Sequence, residues 1–575
     1  MNFREQAQKF IEKEKQFHLG DLPTEKPHHL TINLSDRIMV DTEDGVMNLL
    51  EVDQDIIPVA KMAIQSPEYD KLIRSMLDCI KRGKTICFSS CGASGRLAII
   101  LEAMWRGFCQ KESLNHPENS IFLKKLENQV CSIMTGGDRA LIRSVENFED
   151  YQIFGRQQFI DSGLGKGDML IALGEGGEIS SVIGTMKEAL DKRSVVAMVY
   201  NNPPDILMSK FDRSRDVLTN PDIIKLNLTT GPMALAGSTR MQATTIAMLI
   251  IGAAIEECLN SVLNKDDKPK SRSYYTDQFE NILKQLNNSE CTKAISKLVD
   301  IESDCYRQSG RVTYVADQFL LDIFSDTTER APTFMIPPFR QYDDHTSPVP
   351  WVFAKDPLRK SVDAWTHLLK RLPRGLNWLK KDYQKMGVPK EMEERADTLS
   401  NYQILKFHIG NENAPSRYEC PGSVLLSISV NEPENIEFNE WCKKHGSKFD
   451  KSIKLTIGNS ISKTVNPDLI NIPIDFPVSN TMLFEHLAIK LIFNVFSTGT
   501  MAKIGRIKGN WMVQLDATNK KLTDRAIRVI AHFADIPYNE ACIELFKTMS
   551  SPDTHRLKFE NSYIIQTLER LGVEI

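Results

Sequence analysis

Between residues 84 and 240 the chain alternates short apolar runs with longer stretches in which apolar residues recur every three to four positions. The runs Thr85–Ser90, Val130–Met134, Met169–Leu173, Val195–Tyr200 and Ile223–Leu228 predict strands, and Leu97–Phe108 and Ser180–Leu190 predict helices between them. Strands that are apolar throughout and separated by helices pair in parallel, with helices over both faces of the sheet. A weaker second cycle follows, with strand candidates Val312–Ala316, Thr333–Ile336, Gln403–Ile409, Val424–Val430 and Ile453–Ile457. Asn264–Arg272 is polar, charged and broken by Pro269, and reads as a linker or long turn. Phe339–Trp351 has the composition of a surface loop, and after Phe496 the pattern is helical to the end. The fold class is therefore α/β: an N-terminal segment at 1–55, parallel-sheet domains at 56–290 and 291–495, and a C-terminal helical subdomain at 496–575.

Composition narrows this. A chain of 575 residues is too long for one core, and 41% hydrophobic with 25% charged residues is ordinary for a globular protein. A net charge of -4 leaves no electrostatic footprint for nucleic acid or an anionic membrane. The N-terminus has no apolar signal core, and Ile246–Ile255, ending in Glu256-Glu257, is too short to span a bilayer and predicts a buried helix. The 11 cysteines form no C-x-x-C pair; Cys79, Cys87, Cys109, Cys131 and Cys258 read as reduced core thiols of a cytoplasmic protein. No histidines have metal-ligand spacing and His28-His29 reads as surface, so neither metal nor cofactor is expected.

Three loops at predicted strand ends carry the candidate chemistry, because ligands of such sheets bind beyond the carboxyl ends of the strands. The first is Ser90-Cys91-Gly92-Ala93-Ser94-Gly95-Arg96. The second is Gly174-Glu175-Gly176-Gly177-Glu178-Ile179-Ser180-Ser181, and the third Gly231-Pro232-Met233-Ala234-Leu235-Ala236-Gly237-Ser238-Thr239-Arg240. Glycines let the backbone approach a ligand closely, and hydroxyls and helix-start N–H groups bind anionic or hydroxyl oxygens. Any one loop could be a purely structural turn; three in consecutive units converge on one sheet edge.

CGASGRL, TGGDRALIRSVENFED and GPMALAGSTRMQATT resemble the ordered motifs of two families built on sugar-isomerase (SIS) domains. These are the N-acetylmuramic acid 6-phosphate etherases and the glucokinase regulatory proteins. Leu22-Pro23-Thr24-Glu25-Lys26-Pro27, Ser497–Gly505, Asn510–Val513 and Ala517–Leu522 are similar to theirs too. The likeness is dense over 84–255 and 490–530 and thin over 260–480. It implies two SIS domains in one chain with a C-terminal helical lid, the arrangement of the regulatory proteins, and a ligand site in the first domain. The ligand-binding residues it and the loops imply are Gly92, Ala93, Ser94, Gly95, Gly174, Gly176, Glu178, Ser238, Thr239, Arg240 and Lys521.

The chain also departs from these families. The etherases resemble a two-glutamate acid/base machine; Glu149 matches one glutamate, but Met104 stands at the other, and a thioether cannot exchange a proton. Glu102 is two residues, about 200°, around the helix from Met104 and cannot substitute. Thr328-Glu329-Arg330-Ala331-Pro332-Thr333-Phe334 resembles the etherase motif carrying the missing glutamate, so Glu329 is either shared across a pseudo-dimer interface or a remnant near a turn. Gly174 and Glu178 replace the two phosphate-binding hydroxyls of the second loop, and Gln242 replaces a lysine. A carboxylate beside a phosphate is unfavourable, so Glu178 points to a neutral or amino sugar, unless it is a solvent-facing first-turn residue. The leading expectation is a regulator that binds a sugar or sugar phosphate, with a sugar kinase as the partner the resemblance implies. The alternative is an etherase-like lyase or isomerase using Glu149 with Glu178 or Glu329.

Overall fold

The computed structural model describes residues 2–145, 147–263, 270–431, 435–459, 468–551 and 561–575. Five parallel strands, β1 (Ile86–Ser90), β2 (Val130–Met134), β3 (Met169–Leu173), β4 (Val195–Tyr200) and β5 (Ile223–Asn227), form the first sheet in the order β2-β1-β3-β4-β5. All five residues of β1 and of β3 are buried, as a central strand covered on both faces requires. The chain leaves β1 toward β2 on one side and returns to β3 on the other, so the β1 and β3 loops diverge and leave a crevice.

The second sheet repeats this topology. Strands β6 (Val312–Ala316), β7 (Val352–Lys355), β8 (Val424–Val430), β9 (Lys451–Ile457) and β10 (Leu469–Ile472) are all parallel, in the order β10-β9-β8-β6-β7. Two expected strands fall elsewhere. Thr333 and Phe334 close the helix Leu320–Phe334, which Met335 terminates in the left-handed region at φ 49°, and the strand lies instead at Val352–Lys355. Gln403–Ile409 begins within the helix Asn401–Leu405. Residues 264–269 of the expected linker lie outside the described residues, and the helix Arg272–Leu286 starts at its last position. The buried helix Leu483–Lys503 runs through position 496 without a break. A short hairpin, Ile507–Lys508 with Trp511–Met512, and the helices Lys520–Ala534, Tyr538–Met549 and Tyr563–Arg570 follow it.

The halves pack through equivalent helices. The helix after β1, Gly92–Asn115, meets the helix after β6, Leu320–Phe334, and the helix after β5, Gln242–Leu263, meets its counterpart Leu483–Lys503. Each half supplies polar partners to the other: Arg240 Nη1 bonds Asp326 Oδ1 at 2.9 Å and its Nη2 reaches Thr498 Oγ1 at 2.6 Å, while Glu256 accepts from Ser479 and from Thr481 Oγ1, the latter at 2.9 Å. Gln242–Leu263 is, among the described residues, the one helix long and apolar enough to cross a membrane, and it is packed inside the fold.

A strap from the second half crosses to the first. Arg371 bonds Glu102 Oε2 at 2.9 Å and Asp138 Oδ1 at 3.1 Å. Beyond it, Leu376, Trp378 and Tyr383 pack on Phe148 and Phe154, whose rings stack at 4.2 Å. At the other end, the N-terminal helix Phe3–Lys13 packs against Tyr538–Met549, so the two ends of the described chain meet.

Candidate functional site

A pocket opens at the carboxyl edge of the first sheet, between the loops after β1 and β3. Including its open mouth it measures about 1010 Å³, at the upper end of the range for small-molecule sites. Six parts of the chain build it. The β1 loop brings Cys91, Gly92, Ala93 and Arg96, and the stretch after β2 brings Glu149. The β3 loop brings Glu175 and Gly176, and the third loop Ser238 and Thr239. Glu329 arrives from the second half, and Asn519, Lys521 and Arg525 from the C-terminal helices.

Gly92 starts its helix at φ +57° with open space on its Cβ side, so the first N–H groups of a 24-residue helix face the pocket. Glu149 is set by two donors: Asn519 Nδ2 at 2.8 Å and Cys91 Sγ at 3.5 Å. Burial and the Glu149 carboxylate push the Cys91 thiol well above its ordinary range. Glu329 pairs with Arg96 across the domain boundary and faces the same pocket as Glu149. Met104 and Glu102 are buried away from it; although burial opposes it, Arg371, Arg374 and Arg106 hold Glu102 ionised with its pKa at about 2.

The remaining expected residues divide. Lys521 reaches the pocket from the first turn of Lys520–Ala534; burial disfavours its charge, yet Glu178, Glu149 and Glu25 hold its ammonium above the usual lysine range. Glu178 is buried rather than solvent-facing. It does not line the pocket, folding back under Gly176 with Oε1 at 3.8 Å from Lys521 Nζ. Arg240 likewise points away from the pocket: its guanidinium is held by Asp326, Asn494, Ser497 and Thr498 of the second half. Gly95 packs against Met134, where a Cβ would come within 2.9 Å, and Gly174 bonds Val199 O through its N–H, so both shape the loops rather than the cavity wall. Ser94 is buried behind Ala93, and its Oγ makes no hydrogen bond of ordinary length and angle.

Glu175 was not among the residues the sequence suggested. It lines the pocket, is 4% exposed, and burial raises its pKa to about 7 against the opposing hydroxyls of Thr239 and Ser94 and the more distant Lys490 and Lys521. Its signal was present, a carboxylate between two glycines at a strand end, but Glu178 drew attention because the resembled families differ there. The lid closes on a second buried charge: Glu25 bonds Arg525 and Arg528, and despite burial these hold its pKa at about 2. At the matching edge of the second sheet, Asp317 after β6 is held by Arg359 at 3.0 Å and Asn435 Nδ2 at 2.7 Å.

Residues 69–190 match the family model described as the glucokinase regulatory protein N-terminal SIS domain. N-acetylmuramic acid 6-phosphate etherase 1 of Bacillus licheniformis is 26% identical over 271 residues, covering 44% of this chain and 78% of the relative. The N-acetylmuramic acid 6-phosphate etherase of Parasynechococcus marenigrum is 29% identical over 276 residues, 47% of this chain and 78% of its own. Among solved structures, the C-terminal domain of glucosamine-fructose-6-phosphate aminotransferase from Francisella tularensis covers 80% of this chain and 96% of its own at 11% identity. Its TM-score of 0.43 adds nothing to the fold already described. The chain thus carries an SIS domain on its first sheet and resembles both the etherases and the regulatory proteins.

Proposed function

We propose that the pocket of the first sheet binds a sugar derivative and acts on it as an etherase-like lyase or isomerase, with Glu149 and Glu329 as its paired carboxylates. The observation that carries this reading is that two glutamates from opposite halves of the chain line one pocket. Elimination across a C–O bond needs one group to take the proton beside a carbonyl and another to protonate the departing oxygen. Glu329 meets that need despite Met104, and the etherase names of the relatives point to the same chemistry. The N–H groups at the start of Gly92–Asn115, the hydroxyls of Ser238 and Thr239 and the ammonium of Lys521 are donors for the sugar's oxygens.

The test is incubation with N-acetylmuramic acid 6-phosphate and with its free-amine counterpart, muramic acid 6-phosphate, with ether cleavage followed by mass spectrometry. Turnover of one of the two is expected in the native chain, and Glu149→Gln should lower kcat by about 10²- to 10⁴-fold, the range for a lost acid/base group, with a smaller change in KM. A second reading, a sugar-binding regulator read by a sugar kinase, is favoured by the buried Met104 and by the lid that Glu25, Arg525 and Arg528 hold over the pocket. Tight sugar binding with no turnover in either form would select it.

A further inference from the structure

Two buried polar atoms beside the pocket, Glu175 Oε1 and Ser94 Oγ, make no hydrogen bond of ordinary length and angle; Ser94 and Thr239 act on the Glu175 carboxyl as nearby hydroxyls that favour its ionised form. Buried polar groups in native proteins are nearly always satisfied, and a cluster left open at a pocket wall is one that a ligand completes. The loop that carries the carboxyl is held firmly. Gly174 N–H bonds Val199 O at 2.9 Å, Gly177 N–H bonds Gly174 O at 2.7 Å, and Asn201 N–H bonds the Glu175 carbonyl at 2.9 Å. The Thr239 hydroxyl, like that of Ser94, acts on the carboxyl, and Thr239 lines the pocket.

The charges around it are already engaged. Lys521 faces Glu178, and Lys490 donates to the Arg240 carbonyl at 2.7 Å. Arg96 is taken by Glu329, and Arg525 by Glu25. Among the described residues no cation lies within ion-pair distance of Glu175. What the subsite lacks is a compact donor with several N–H groups and a positive charge. A hydroxyl offers one donor and no charge; an acetamide offers one donor and added bulk; an ammonium offers three donors and a charge.

We infer that Glu175, with Ser94 and Thr239, is the anchor for a protonated amine, so that the pocket selects a sugar with a free amino group over its hydroxyl and N-acetyl counterparts. This rests on the reading of the pocket as a sugar site. It also moves the selectivity from Glu178, which Lys521 neutralises, to the neighbouring carboxyl three residues before it. Burial leaves Glu175 partly protonated near neutrality, with Lys490 and Lys521 as the cations that face it and Thr239 and Ser94 as its hydroxyl neighbours. A bound ammonium favours the ionised form, so binding expels a proton.

The experiment is calorimetry on the full chain with D-glucosamine, D-glucose and N-acetyl-D-glucosamine, each as the free sugar and as the 6-phosphate. The amine should bind about ten- to a hundred-fold tighter than its hydroxyl counterpart, the worth of one charged hydrogen bond. Glu175→Gln, nearly isosteric, should erase that preference, and the ligand-free melting temperature checks that the variant is folded. Independently of any variant, glucosamine binding at about pH 6.5 should release a proton, seen as an enthalpy that changes with the buffer's ionisation heat. If the native chain binds these sugars without preferring the amine, or no proton is released, the inference falls and the sugar site stands. If Glu175→Gln keeps the preference, the anchor lies elsewhere and the inference also falls. If none of the sugars binds, both readings fall.

Discussion

Gln242 stands where the resembled families carry a lysine, and its amide is wholly engaged: Oε1 accepts from Ala234 N–H at 2.9 Å and Nε2 donates to Asp53 Oδ1 at 2.6 Å. That contact ties the third loop to the N-terminal segment; burial raises the Asp53 pKa to about 7, although the Gln242 hydrogen bond and Lys490 favour the ionised form. The folded state then holds this proton more tightly than the unfolded chain. The contribution is complete below the ordinary carboxylate range and is lost as the pH rises toward 7, at about 1.4 kcal/mol per pH unit. Glu25 and Glu102 act in the opposite sense: their stabilisation is present above the ordinary range and is lost as the pH falls toward about 2. Denaturant unfolding should therefore show stability falling between about pH 4 and 7, and Asp53→Asn should flatten that fall. A slope unchanged in the variant would assign it to other groups, such as Glu175. At this scale the sequence spoke unevenly. Lys521 was legible because a whole local motif surrounds it. Glu178 and Arg240 were named at the right loops, but which way a side chain turns depends on partners far along the chain, Lys521 and Asp326 respectively.

Among the elements, the strap over the first half has the clearest consequence for the site. Trp378 packs on Phe148, next to Glu149, and its indole N–H bonds Asp161 Oδ2 at 2.5 Å. Asn147 just before it takes the left-handed region at φ 66°, a conformation held by its surroundings. Trp378→Ala removes a large buried ring and should cost about 3–5 kcal/mol, and amide exchange across residues 147–151 should accelerate as Glu149 loses its fixed position. Exchange confined to the strap itself would mean that it only adds stability. The first sheet was readable because its strands are continuous apolar runs bounded by turns, the pattern a doubly covered parallel sheet demands. The second was harder. β7 and β10 have only four residues each, and the apolar Thr333–Ile336 belongs to the end of a helix whose buried face looks, over so short a window, like a strand.

For the whole molecule, the two halves are joined by buried charge as well as apolar packing. Arg240 and Asp326, 5% and 6% exposed, lie in different halves, and Arg240→Ala would take from the carboxylate one of its two arginine partners, leaving Arg330. The loss should be about 1.5–3 kcal/mol, the worth of a charged hydrogen bond, in a single cooperative transition observed by both fluorescence and circular dichroism. Two separated transitions would mean that the halves fold independently. The repeated strand order has a final consequence. In an assembly of two identical chains, every substitution appears twice, so neither crevice can be given up without the other. Once both copies share one polypeptide that constraint disappears. Here Asp317 at one sheet's edge is tied to Arg359, and the helix that follows lends Glu329 to the other sheet's pocket. Covalent continuity permits such a division of labour, with one half holding the opening and the other supplying part of its wall.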